Sequence, residues 1–84
     1  MTKQDIAAYV LNYIKSQYGN AVSAIDSSTK LVTSRLLDSI NTLHMVSHLE
    51  EHFKFDAEAH EVNTDNFDTV ESIANYVASK IGLN

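Results

Sequence analysis

The residues with the clearest chemical potential are Asp38 and Ser39, which lie between a long polar segment and an amphipathic helical pattern. A short carboxylate such as that of Asp38 can accept a hydrogen bond from the free N–H groups of a first helical turn, so Asp38 is predicted to be an N-cap. Ser39 then takes the first helical position, exposed beside the positive end of the helix dipole, where an anion such as phosphate is favoured. The pattern therefore predicts a presented hydroxyl at an anion-tolerant helix end.

A serine followed by histidines could instead indicate nucleophilic catalysis. That chemistry requires a base within hydrogen-bond reach, a third group to orient the base, and an oxyanion hole. His44 comes five residues after Ser39, off the serine's side of a helix, and no glycine-rich elbow surrounds the serine. The sequence therefore argues against a hydrolase, and we assign no catalytic residue.

The histidines His44, His48 and His52 follow one another at intervals of four, and neighbouring pairs have the spacing of a zinc site. No cysteine or converging carboxylate from another segment is evident, so we expect no metal. The simpler interpretation is a solvated or partner-facing stripe that gains charge below neutral pH.

Two segments precede the serine. Thr2 and Asp5 resemble a capping box, and the apolar spacing after them predicts a helix over 3–18 that ends at Gly19. The segment 19–37 has no sustained period, and a loop of this length is unusual in a small domain. Isolated apolar residues should hold it across a bundle: Val22, Ile25, Leu31, Val32 and Leu36.

The helix that begins at Ser39 should continue to about Phe53. Ile40, Leu43, Val46, Leu49 and Phe53 are separated by steps of three, three, three and four, which predicts one apolar stripe. We expect the last four of these in the core and leave the burial of Ile40 open. The opposite, polar face would contain Asn41, His44, Ser47, Glu50 and Glu51.

The remaining segments predict a short helix and a final long one. A polar connection over 54–61 leads to a helical turn at 64–67, capped by Asn63 or Thr64, with Val62 and Phe67 directed into the bundle. Asp68 or Thr69 should cap the last helix, which Gly82 ends. Its expected buried stripe is Val70, Ile73, Ala74, Val77 and Ile81. The fold class is thus an all-α bundle of three long helices and one short one, with a long first connection.

Composition limits the class of protein. The 84 residues make one domain, 1–84, and the absence of cysteine suits a reducing cytosol. We see neither a signal peptide nor an apolar run long enough to span a membrane, and we expect a cytoplasmic monomer. A net charge of −5 argues against nucleic acid as a partner and favours partners with basic patches.

The segment Asp38-Ser39-Ile40, opening an amphipathic helix in a small acidic chain, resembles the Asp-Ser-Leu signature of acyl and peptidyl carrier proteins. The resemblance covers nearly the whole chain, including the first helix, the long loop and the run 63–70. It implies that Ser39 carries 4′-phosphopantetheine, transferred from coenzyme A, through a phosphodiester. The thiol of that arm would hold an acyl or aminoacyl group as a thioester. The implied partners are a phosphopantetheinyl transferase, a loading ligase and downstream acyl-processing enzymes of fatty acid, specialised lipid or secondary metabolite biosynthesis.

The resemblance also implies a partner-binding face, in which Ile40 is partly exposed beside the serine. The face would consist of Ile40, Asn41, His44, Ser47, Glu50 and Glu51. Asn41 and His44 replace carboxylates that are usual in fatty-acid carriers. The segment 35–39 is more similar to the Gly-Leu-Leu-Asp-Ser form of aminoacyl and peptidyl carriers, with Arg35 in place of the glycine. The alternative is a helical protein-interaction module in which Asp38 and Ser39 are only a helix cap.

Overall fold

The computed structural model describes residues 1–18 and 25–83, and their regular structure is entirely helical. The elements are α1 (Lys3–Tyr18), α2 (Ser39–Phe53), a 3₁₀ turn (Ala59–Glu61), α3 (Thr64–Phe67) and α4 (Val70–Lys80). The all-α bundle of three long helices and one short one is therefore confirmed, with the helix boundaries that the sequence predicts. The helix stop at Gly19 and the loop residue Val22 lie outside the described residues.

Local capping chemistry fixes where each helix begins. At α1, the Thr2 N–H donates to Asp5 Oδ2 at 2.8 Å and the Asp5 N–H donates to Thr2 Oγ1 at 3.2 Å. Asn63, rather than Thr64, caps α3 by accepting from the Asn66 N–H. At α4 the cap is Thr69 rather than Asp68, in a reciprocal capping box with Ser72. Each helix thus begins where a side chain satisfies its free N–H groups.

The core forms where α1 packs against α4 and both meet the inner side of α2. Leu49 and Val77 are fully buried in this one cluster, as the apolar stripes predict. Ile81 and Phe53 are half-buried at its edge. The largest fully buried side chains are Phe67, Ile6, Ile14, Leu31, Leu37, Met45, Leu49, Ile73, Val10, Val70 and Val77.

Leu43 is a correction to the sequence-based core, because its side chain is 54% exposed. A step of three residues falls about 60° short of a full helical turn, so three such steps drift by about 180°. Ile40 and Leu49 therefore lie on opposite sides of α2, and Leu43 stays with Ile40 on the outer side. The inner side is formed instead by Thr42, Met45, Val46 and Leu49.

The long first connection is fastened to the junction of α3 and α4 through Asp68, which is buried. Asp68 Oδ1 accepts the N–H groups of Val32 and Thr33, both at 2.9 Å, and Oδ2 accepts the Thr33 hydroxyl at 2.9 Å. The Asp68 carbonyl also accepts the Leu31 N–H at 2.6 Å. These bonds satisfy buried polar groups on both sides, and they hold Leu31 in the core.

The same bonds set the ionisation of Asp68. Burial alone would raise its pKa, but the hydrogen bonds from Thr33 and Val32 and the nearby charge of Lys30 outweigh that effect. The pKa of Asp68 consequently lies below its usual value, and the carboxylate is charged at neutral pH.

Aromatic rings of α1 and α2 stack on each other where the two helices meet. The ring of Tyr9 stacks on His52 with centroids 3.9 Å apart, and Tyr13 stacks on His48 at 4.5 Å. The Tyr9 hydroxyl and His48 Nε2 are hydrogen-bonded at 2.6 Å. Of the three histidines at intervals of four, two therefore pack against α1, while His44 is exposed without such a partner in the described residues.

Glu61 joins the connection after α2 to the last helix. Its Oε1 accepts the Glu58 N–H at 2.9 Å, the Tyr76 hydroxyl at 2.9 Å and the Lys80 ammonium at 3.1 Å. The Glu58 N–H, followed by Lys80 and Tyr76, lowers the pKa of Glu61 to about 2. One carboxylate oxygen thereby ties the 3₁₀ turn to two positions on α4.

Truncating Leu49 tests the orientation of α2. Leu49→Ala removes a fully buried side chain and should lower the free energy of unfolding by about 2–5 kcal/mol, a large share of the stability of so small a domain. Leu43→Ala and Ile40→Ala, on the outer side, should each change it by less than about 0.5 kcal/mol. Urea unfolding followed by circular dichroism measures all three, and equal losses at positions 43 and 49 would contradict this orientation.

Replacing Asp68 tests the loop attachment. Asp68→Asn should lower the free energy of unfolding at pH 7 by about 1–3 kcal/mol, because it weakens the hydrogen bonds that the buried carboxylate accepts from Val32 and Thr33. Since the folded pKa lies below the unfolded value of about 3.9, the stabilisation is complete above that value and is lost as pH falls through the folded pKa.

The measurement is therefore the difference in unfolding free energy between wild type and Asp68→Asn from pH 7 to pH 2.5. That difference should begin to shrink below about pH 4, where Asp68 of the unfolded chain becomes protonated, and should continue to shrink until the folded carboxyl is protonated as well. Glu61 also titrates in acid, but it is common to both proteins and cancels in the difference. A difference that is constant across the range would show that the charge of Asp68 contributes nothing.

Candidate functional site

Ser39 is exposed at the first position of α2, as the sequence predicts. Asp38 has an extended backbone, with φ −84° and ψ 180°, and its Oδ1 accepts the Asn41 N–H at 2.7 Å. The cap therefore uses the Asp38 carboxylate and leaves the Ser39 hydroxyl without a hydrogen-bond partner among the described residues. A hydroxyl in this position is accessible to another molecule at the positive end of a helix.

Two interactions fix the backbone on either side of the cap. Leu37, immediately before Asp38, is buried, and its N–H donates to the Leu31 carbonyl at 2.8 Å. On the helix side, the buried Thr42 donates its hydroxyl to the Asp38 carbonyl at 2.7 Å. Ser39 is thus presented from a backbone that is anchored at both ends of the short segment 37–42.

The turn before the motif contains an unusual backbone conformation. Arg35 has φ +68°, in the left-handed region that glycine adopts without strain, and its N–H donates to the Val32 carbonyl at 3.0 Å. This geometry gives a physical reason for a glycine at the corresponding place of the similar Gly-Leu-Leu-Asp-Ser motif. The sequence shows an arginine in place of the glycine, but it does not reveal that Arg35 adopts a left-handed backbone.

An apolar groove begins at Ser39 and extends between α2 and the connection to α3. Its volume is about 330 Å³. One wall comes from the first connection and α2, and the opposite wall comes from the 3₁₀ turn and α3. The lining residues are Val32, Ser39, Thr42, Leu43, Ala59, Val62, Asn63, Thr64 and Phe67. The groove cannot be predicted from the sequence, because apolar spacing within one segment does not show which other segment it packs against.

The structure separates the predicted partner-binding face into two groups. Ile40, which is 65% exposed, lies with His44, Ser47 and Glu51 on the outer side of α2. Asn41 and Glu50 are half-buried at the flanks of the helix. The Oε2 atom of Glu50 accepts the Ala57 N–H at 2.8 Å, so this carboxylate already supports the chain beyond α2.

The arrangement presents a hydroxyl and provides little chemistry around it. No histidine of the described residues is hydrogen-bonded to Ser39, whose neighbours are the helix cap and the apolar groove. The described residues also contain no group of three or more histidine, aspartate or glutamate side chains placed to hold a metal ion. None of the helices in the described ranges is long and apolar enough to cross a membrane.

Most of the chain matches the model of a known protein family. The family model described as "Phosphopantetheine attachment site" matches residues 8–77, which include α2 and most of α1 and α4. No curated protein matches the chain. Domains of this family carry a covalently attached 4′-phosphopantetheine group, and they are carriers rather than enzymes.

The residues present fit such a group. Attachment requires an accessible hydroxyl, and a phosphodiester is favoured beside free N–H groups at a helix N-terminus. Ser39 provides the hydroxyl at the start of the fifteen-residue α2. The groove beside it offers apolar surface to an attached chain.

Proposed function

Because the chain belongs to the phosphopantetheine attachment site family, we propose that Ser39 is its attachment residue and that it carries an acyl or aminoacyl group between enzymes. The observation that supports this role is the exposed Ser39 hydroxyl at the Asp38-capped start of α2, within the matched span. The thiol of the attached group supplies the chemistry, by holding the cargo as a thioester. The protein residues supply the attachment point and the contacts with other enzymes.

Attachment consumes coenzyme A. The Oγ–H bond of Ser39 breaks, a bond forms between Oγ and the phosphorus that bears the pantetheine chain, and 3′,5′-ADP leaves. The described residues offer Ser39 no base, so the transferase must accept the proton. Asp38 remains the helix cap during this step, since its carboxylate is directed at the Asn41 N–H.

The groove bears on the nature of the cargo. Its walls are mostly apolar side chains, including Leu43, Val62 and Phe67, and Ser39 lies at its rim. A saturated acyl chain gains from covering such surface, whereas a small charged aminoacyl group does not. We therefore favour an apolar acyl cargo, and with it a role in lipid or secondary metabolite biosynthesis.

The outer side of α2 is the proposed surface for partner enzymes. An enzyme that acts on Ser39 must contact the start of α2, and residues three and four apart continue its contact along the same side. This places Ile40, His44, Ser47 and Glu51 under the partner, with Asn41 and Glu50 at the margin. The partners are a phosphopantetheinyl transferase, a loading ligase and acyl-processing enzymes. Residues 1–84 act as one carrier domain that needs no second copy, and their cysteine-free composition supports a cytoplasmic location.

The attachment site is tested by mass. Incubation with coenzyme A and a broad-specificity phosphopantetheinyl transferase should add one phosphopantetheine to the wild type and none to Ser39→Ala. Ser79→Ala, at an exposed serine of α4 outside the proposed partner surface, is the control and should be modified like the wild type. The unfolding temperature of Ser39→Ala should match that of wild type, because Asp38 rather than Ser39 forms the cap.

Modification of Ser39→Ala would disprove this attachment site. A wild-type protein that no transferase modifies would support the alternative of a helical interaction module.

The cargo proposal is tested by comparing two loaded forms of the protein. Methyl resonances of Leu43, Val32 and Val62 should shift more with a hexanoyl thioester than with an alanyl thioester, because only the longer chain can cover the groove. Leu11 of α1, which does not line the groove, provides the control resonance. Equal shifts for the two cargoes would mean that the groove does not select apolar chains.

A further inference from the structure

The surface next to Ser39 exposes two large apolar side chains. Ile40 is 65% exposed and Leu43 is 54% exposed. They are three residues apart, so both lie on the outer side of α2 within about one turn of the serine. Single exposed apolar residues are ordinary on a protein surface, but an adjacent pair beside a modifiable hydroxyl is a surface that gains from being covered.

The part of α2 next to Ser39 contains no carboxylate. Residues 39–49 contain no aspartate or glutamate, although the chain has a net charge of −5. Asp38, just before α2, is exposed and caps the helix through its Oδ1 atom, and Glu50 is bonded to the Ala57 N–H. Glu51 is the first exposed carboxylate on the outer side, roughly 18 Å from Ser39 along the helix axis.

A cation lies in the turn that borders this surface. The side chain of Arg35 is exposed and forms no ion pair with any carboxylate of the described residues. Its N–H is bonded to the carbonyl of Val32, which lines the groove together with Ser39 and Leu43. The backbone would favour glycine at φ +68°, so the local fold does not account for an arginine at position 35.

We propose that Arg35, Ile40 and Leu43, the serine-proximal surface, bind the transferase that modifies Ser39, through an apolar pocket edged by a carboxylate on the transferase. This proposal rests on the function proposed above and adds the chemistry of the partner. It differs from the expectation drawn from net charge, because the group on the enzyme that complements Arg35 is an anion rather than a cation. Apolar contact with Ile40 and Leu43 supplies area, and the carboxylate opposite Arg35 fixes the orientation.

The chain contains a matched control for Arg35. Lys54 is also an exposed cation with a left-handed backbone, at φ +61°, but it caps the far end of α2. Arg35→Gly and Lys54→Gly therefore remove the same charge and relieve the same backbone strain. Both variants should unfold at or above the wild-type temperature, so a kinetic difference between them cannot be a folding effect.

The readout is kcat/KM for transfer of phosphopantetheine from coenzyme A to each variant, with a transferase that modifies the wild type. Arg35→Gly should lower kcat/KM about three- to tenfold at low salt, Arg35→Glu should lower it further, and Lys54→Gly should stay within about twofold of wild type. The difference between wild type and Arg35→Gly should narrow as salt increases, because ions screen the proposed pair. Leu43→Ser should also lower kcat/KM, with no such salt dependence.

Three outcomes would overturn the proposal. Arg35→Gly could react like Lys54→Gly, which would mean that the position of the charge at Arg35 does not matter. Arg35→Glu could react faster than wild type, which would mean that the enzyme presents a basic surface. Leu43→Ser could react at the wild-type rate, which would mean that its apolar side chain does not contact the enzyme. In each case Ser39 is still modified, so the proposed carrier function stands. Absence of modification in every variant and in wild type would instead remove the carrier function itself.

Discussion

The carboxylate of Asp68 sets the geometry around Ser39, although it lies 29 positions away in the sequence. Its two oxygens accept hydrogen bonds from Val32 and Thr33, and the backbone carbonyl of Asp68 accepts one from the Leu31 N–H. A further hydrogen bond, from the Glu71 N–H to the Ser27 carbonyl at 3.0 Å, links the same connection to the start of α4. A connection of this length loses considerable conformational entropy when it is ordered, and buried charged hydrogen bonds are among the few local interactions strong enough to offset that loss.

Once the connection is held, the remainder of the site follows from short-range packing. Leu31 and Leu37 are buried in the core before and after the turn, and Asp38 consequently lies at the start of α2. The cap then presents Ser39 with its hydroxyl outward. The backbone on both sides of Ser39 is thus held by hydrogen bonds and packing, and the described residues place no base beside its hydroxyl, which suits the proposed attachment role.

The parts of the fold that local chemistry determines could be predicted from the sequence. The starts of the helices in the described residues follow from caps and apolar spacing, and Asp38 and Ser39 have the predicted places because a cap involves only neighbouring residues. The prediction of Leu43 as a core residue is wrong because residues at steps of three drift around the helix. The same drift explains why the predicted stripe omits the buried Met45 and Thr42. The Asp68 bonds, the groove and the His52 stack on Tyr9 join segments far apart in the chain, and periodicity within one segment carries no information about them.

The bonds to Glu61 have a mechanical consequence for the groove beside the serine. The wall that contains Ala59 and Val62 flanks Glu61, whose carboxylate is held by Tyr76 and Lys80 of α4. That wall is therefore tied to α4, six of whose residues are buried, and it cannot retreat without breaking these hydrogen bonds or moving the helix. The opposite wall includes Leu43, an exposed side chain on a helix surface, which can change rotamer at little energetic expense. The groove is accordingly stiff on one side and compliant on the other, so the proposed acyl chains of different bulk would be accommodated by displacement of the α2 side, next to the proposed point of attachment.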